Sequence, residues 1–166
     1  MNTFRRLLTV LALLSVAGCG FGSRPATDDP AAVRAAVQQA HVAYVSAINA
    51  NKPDVWLSVL ADDVVYLVPN QKAIVGRAAV GAWVARYLQE VTTEWTKTVE
   101  DLQVDGDWAM GRYSYTVADS VIIRDPETEG GGTANDTGWG LVVYRRDGDG
   151  HWLVVRDAWG SDRPAR

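Results

Sequence analysis

This 166-residue sequence predicts an α+β domain, with three N-terminal helices ahead of an antiparallel sheet. Three observations carry the expectation. Apolar residues recur at helical spacing in the first part of the chain, alternation at strand spacing dominates the rest, and tight-turn signals join the later strands, which therefore cannot run parallel.

Each element follows from local chemistry. Asp29-Pro30 is a capping side chain followed by proline in the first turn, and the helix it opens carries Val33, Val37, His41, Tyr44 and Ile48 on one face. Pro53 opens a second helix with Val55, Trp56, Val59 and Leu60 on its buried side, ending at Ala61. Asp62-Asp63 then breaks the pattern, with Arg77 as a pairing partner, and Val64, Tyr66 and Val68 alternate as a strand. After a Pro-Asn turn and a Gly76-Arg77 restart, Val80, Trp83, Val84, Tyr87, Leu88 and Val91 recur at helical spacing. Strands are expected from about Glu94 to Val104 and from Trp108 to about Arg124, around an Asp105-Gly106 turn. Asp125 to Asn135, with its glycine triplet, reads as a mobile loop. Trp139–Arg146 and His151–Trp159 form the last hairpin around Asp147-Gly148-Asp149-Gly150.

The first residues read as an address. Arg5 and Arg6 precede an apolar run from Leu7 to Leu14, too short to span a bilayer, and Val16-Ala17-Gly18-Cys19 fits a bacterial lipobox. Residues 1–18 are thus expected to be a lipoprotein signal peptide. Cys19, the only cysteine, is the expected lipidation site, and residues 19–29 form a flexible tether. Residues 30–162 form the domain and 163–166 a tail. The protein is expected to be exported and lipid-anchored to the bacterial cell membrane, facing the extracytoplasmic side, since several acyl chains anchor stably where one does not. Removing residues 1–18 takes away two of sixteen basic residues and no acidic one, so net charge moves from −4 to −6. No basic stripe is left for phosphates, which excludes nucleic acid as a partner.

Several chemistries are excluded too. Two histidines and one lipidated cysteine make no zinc constellation, so no metal and no cofactor is expected. The Asp147 loop begins like a calcium loop but has Ala158 where the terminal glutamate belongs, so it reads as a turn. The glycine triplet lacks the lysine of a phosphate loop, and no nucleophile elbow occurs.

The final run Asp149-Gly150-His151-Trp152…Arg156-Asp157-Ala158-Trp159, with the stretch from Trp56 to Tyr87, resembles the SnoaL-like branch of the nuclear transport factor 2 and ketosteroid-isomerase superfamily. The resemblance covers residues 31–162 and implies a cone, with helices packed across a strongly curved sheet around one pocket. It also implies that Tyr44 matches the tyrosine that polarises a steroid oxygen. The isomerases' two acids fall at Val68 and within Gly140-Leu141-Val142-Val143, so steroid isomerisation is not expected.

Alternation in the last strand puts Leu153, Val155, Asp157 and Trp159 on one face. Closing the hairpin with Arg146 opposite His151 sets Gly140 across from Asp157 and Gly138 across from Trp159, leaving a hollow with an acid in its wall. Asp157 is then a structural ion pair, a hydrogen-bond acceptor for a Trp indole, a ligand anchor or a general base. His41 is a core residue or a second candidate base. Tyr44, Trp56, Tyr66, Val68, Trp83, Tyr87, Asp157 and Trp159 are the expected lining for a small, largely apolar ligand. The expected functions are ligand binding, an isomerase, cyclase or dehydratase reaction with Asp157 as base, or a homodimerising module of the cell envelope. For the last, Trp108 and Met110 are opposed by Tyr113, Tyr115 and Val117, which gives the long strands two apolar faces.

Overall fold

The computed structural model describes residues 29–121 and 133–163. The expected signal peptide, Cys19 and all but Asp29 of the tether lie outside the described residues, as do 122–132 and 164–166. Three helices, α1 (Pro30–Asn49), α2 (Pro53–Ser58) and α3 (Arg77–Glu90), pack on a curved six-stranded sheet in the manner of a cone. The strands are β1 (Leu60–Leu67), β2 (Ile74–Val75), β3 (Val91–Asp105), β4 (Trp108–Val121), β5 (Thr133–Arg146) and β6 (Trp152–Ser161), in the order β2-β1-β6-β5-β4-β3.

The fold is α+β as the sequence predicts. Asp29 Oδ1 accepts from the Ala31 amide at 3.1 Å to open α1, whose buried stripe is Val37, His41, Tyr44, Ala47 and Ile48. Three details differ from expectation. β1 starts at Leu60, so Asp62 and Asp63 lie within a strand on its exposed side, where they meet Arg77 at 3.4 Å and Arg145 at 2.7 Å. The sheet is mixed, because β1 returns beside β6 in parallel, a pairing between strands too distant in sequence for turn signals to report. Thr133–Asn135, expected in a loop, begin β5.

The ladders of β1–β6, β3–β4 and β5–β6 each shift register once. A bulge bends its strand and inverts the alternation beyond it. In β3, Trp95 and Lys97 share the inward face with Leu102 and Val104, which differ in parity, because Val99 pairs Tyr113 and Asp101 pairs Arg112. In β6, Tyr144 pairs Val154 but Val143 pairs Arg156, so Trp152, Val154, Asp157 and Trp159 all point inward and Leu153 does not join them.

α1 closes the sheet along β3, which is an edge strand. Asn51 bonds the Thr93 amide and carbonyl at 2.7 and 3.0 Å, and Asn49 bonds those of Trp95, both at 2.8 Å. Arg34 donates to the Leu102 carbonyl at 2.7 Å. At the far turn, Asp147 Oδ1 accepts from the amides of Asp149 and His151, which accounts for an exposed Asp147–Asp149–His151 cluster as turn chemistry.

Candidate functional site

Six elements bring a polar cluster into the interior. Asp157 on β6 is fully buried, and its carboxylate accepts from Tyr44 at 2.7 Å, Tyr113 at 2.7 Å and Lys97 Nζ at 2.9 Å. The Lys97 side chain is 2% exposed. Its ammonium lies 4.6 Å from the ring centre of Tyr113, 4.7 Å from Tyr44, 5.0 Å from Trp95 and 5.9 Å from Trp159. Burial drives the Lys97 pKa down, while Asp157 opposes that shift. Four aromatic neighbours and one counter-ion offset part of the cost of burying its ammonium.

Hydrogen-bond direction is fixed along the tyrosines. Tyr44 gives its proton to Asp157, so Tyr66 donates to Tyr44 at 2.8 Å, and Trp56 Nε1 donates to Tyr66 at 2.9 Å. Burial, followed by the Asp157 charge, raises the Tyr44, Tyr66, Tyr113 and Tyr144 pKa values above 10.0. His41 sits beside this cluster with Nδ1 2.7 Å from the Tyr144 hydroxyl and Nε2 3.4 Å from the Lys97 carbonyl. A carbonyl only accepts, so Nε2 carries the proton and Tyr144 donates to Nδ1. Burial lowers the His41 pKa below 6.5 and favours the neutral ring.

The expected hairpin pairing is off by two positions. Arg146 pairs Trp152, one step from the assumed closure, and the bulge adds the second, so Asp157 faces Val142 and Trp159 faces Gly140. Nor do the glycines leave a void beside Asp157. A Cβ at Gly140 would stand 2.4 Å from the Tyr113 hydroxyl and 2.6 Å from the Ala158 carbonyl, and one at Gly138 would stand 2.8 Å from the Tyr115 ring. Each glycine makes room for a tyrosine that crosses its strand, and Gly140 is why Tyr113 reaches Asp157. A general base needs open access and no fixed cation, whereas Asp157 is fully buried and paired with Lys97. His41 is likewise committed to two partners in the core.

Empty space lies next to this cluster. A hollow of about 470 Å³ is lined by Trp83, Tyr87, Trp95, Tyr115 and Trp159, with Asp119 and Asp136 among its polar groups. Of the expected lining residues, Val68, Trp83, Tyr87 and Trp159 border it, whereas Tyr44, Trp56, Tyr66 and Asp157 are buried in the core beside it. Trp83 stacks on Tyr87 at 5.2 Å and 7°. Tyr87 donates to Asp119, both carboxylate oxygens lying at 2.7 Å, and Thr93 donates to Asp119 at 2.5 Å. Asp136 accepts from Tyr115 at 3.0 Å and Ser161 at 2.7 Å, and meets Arg163 at 3.5 Å. Trp95 Nε1 is buried with no acceptor at bonding distance among the described residues.

The residues missed from sequence are Lys97, Trp95, Asp119, Tyr115 and Asp136. Continued alternation from Thr93 through Trp95 to Lys97 points to the first two, and alternation from Tyr113 through Tyr115 and Val117 points to Asp119.

The family model for the SnoaL-like domain matches residues 41–155, and the chain belongs to that family. Solved structures share its fold. A conserved protein from Planctomyces limnophilus is 22% identical with a TM-score of 0.68, over 79% of this chain and 98% of that one. A ketosteroid isomerase-like protein from Erwinia carotovora atroseptica is 20% identical with a TM-score of 0.68, over 78% and 96%. A type 2 hexachlorocyclohexane dehydrochlorinase is 16% identical with a TM-score of 0.67, over 80% and 87%. None of the curated proteins compared matches the chain.

Proposed function

We propose that this chain is a membrane-tethered, extracytoplasmic domain that binds a small, largely apolar molecule in the open hollow of its cone. The observation that carries the reading is the hollow itself. Its volume is in the usual range for small-molecule sites, and five aromatic rings wall it. The lipobox ending at Cys19 supports the tether.

Binding is favoured over catalysis by the state of the interior acid. Asp157 is matched to Lys97 and two tyrosines, so its negative charge is spent on holding the core together. That removes the main support for an isomerase, cyclase or dehydratase with Asp157 as base. Native mass spectrometry of the purified protein tests the binding reading. A co-purified small molecule that is lost in Trp83→Ala, with melting temperature retained, is expected. Retention of the same adduct in Trp83→Ala would place the binder elsewhere and overturn the reading.

Homodimerisation is the second reading, on one specific observation. Leu67, Ala158 and Leu141 are paired neighbours across β1, β6 and β5, and Leu67, Leu141, Trp139, Trp108 and Met110 are all exposed. Such an apolar row on an outer sheet face suits a second copy. A dimer mass in solution that reverts to monomer in Leu141→Glu is the expected result, and a monomeric wild-type mass at micromolar concentration removes it.

A further inference from the structure

We propose that the occupant of the hollow is an organic cation, a protonated or quaternary amine on an apolar ring body. The inference rests on the binding reading above and adds the charge of the ligand.

The first support is Asp119. Its carboxylate is gripped by the hydroxyls of Tyr87 and Thr93, which are neutral donors, and no cation among the described residues pairs with it. It borders the hollow together with the rings of Trp83, Tyr87 and Trp95. A carboxylate that is oriented but not neutralised, beside aromatic faces, is the complement of an alkylammonium group and repels an anion.

The second support is an internal example. The neighbouring interior already holds an ammonium, that of Lys97, among four rings with one carboxylate at 2.9 Å. Trp95 and Trp159 belong to both places, since they flank Lys97 and also line the hollow. The hollow repeats the same composition of Trp, Tyr and Asp, with no lysine among its described lining residues.

The basic groups at the hollow do not reverse the sign. Arg163 lies 3.5 Å from Asp136 and is largely exposed. Arg86 is exposed on α3, one turn before Glu90, which also borders the hollow. Among the described residues that line the hollow, three carboxylates, Glu90, Asp119 and Asp136, therefore stand against two guanidiniums.

Three probes with one rigid body test the assignment: 1-adamantyltrimethylammonium, 1-adamantanemethanol and 1-adamantanecarboxylate, titrated calorimetrically into the purified protein. The ammonium should bind at least about tenfold tighter than the alcohol, and the carboxylate most weakly. Asp119→Asn keeps an oxygen for Tyr87 and removes the charge. It should erase that preference, bringing the ammonium down to the affinity of the alcohol, and a retained melting temperature certifies that the variant is folded. Equal binding of ammonium and alcohol, or preference for the carboxylate, overturns the cation assignment and leaves the binding reading standing. Failure of all three probes to bind overturns both.

Discussion

Four tyrosine hydroxyls, those of Tyr44, Tyr66, Tyr113 and Tyr144, are buried around one carboxylate, and alkaline pH is expected to unfold the protein through them. Each folded pKa is raised from 10.0, first by burial and then mainly by the charge of Asp157. In the unfolded chain the same groups ionise near 10. A raised folded pKa gives stability that is complete below the unfolded value and is lost as pH climbs through and beyond it. One unit above that value, each tyrosine costs about 1.4 kcal/mol, so four cost about 5–6 kcal/mol. That is comparable to the whole stability of an ordinary domain. Lys97 acts in the opposite sense, because its folded pKa is lowered from 10.5 and its proton loss favours the native state until the unfolded lysine has also titrated. It is one group against four. The assay follows tyrosinate absorbance and far-ultraviolet circular dichroism together from about pH 9 to pH 12. The four interior tyrosines should ionise only with the loss of secondary structure, in one cooperative step near pH 11. Full ionisation of all six tyrosines around pH 10 with native dichroism would refute the argument.

Three further outcomes follow from the same geometry. Lys97→Met leaves the Asp157 charge buried and uncompensated and should cost about 3–5 kcal/mol in urea denaturation, with most of that recovered in Lys97→Met/Asp157→Asn. Gly140→Ala drives a methyl into the Tyr113 hydroxyl and the Ala158 carbonyl. Overpacking and a weakened charged hydrogen bond together should cost about 2–5 kcal/mol, read from the thermal midpoint. Cys19→Ser should move the protein from the membrane fraction to the soluble fraction with an unchanged melting temperature, and a variant that stays membrane-bound would defeat the lipid-anchor proposal.

Much of the fold is legible in the sequence because the helices bury single stripes. Val37, His41, Tyr44 and Ile48 recur at the period that the structure uses. The site is legible only in part. Trp83 and Tyr87 lie on a regular helix and are found by spacing, whereas Asp157 lies beyond a bulge that no residue type announces, and that bulge, added to a hairpin closure one step off, mispairs its cross-strand neighbours. Lys97 is overlooked for a different reason. Alternation places it inward, but a lysine in a strand full of Thr and Glu reads as solvent-facing until the four surrounding rings are assembled from α1, β3, β4 and β6. Charge partners contributed by distant segments leave no local trace in a sequence.

The seam between α1 and β3 limits how copies of this protein can polymerise. An edge strand normally offers its free amides and carbonyls to any passing chain. Here Asn51 and Asn49 occupy those of Thr93 and Trp95, His41 faces the Lys97 carbonyl, and Arg34 takes that of Leu102. The helix acts as a selvedge, a border woven from side chains that stops the sheet from growing sideways. Fibrous, strand-by-strand extension through β3 would first require peeling α1 away, and with it His41 and Tyr44 from the core.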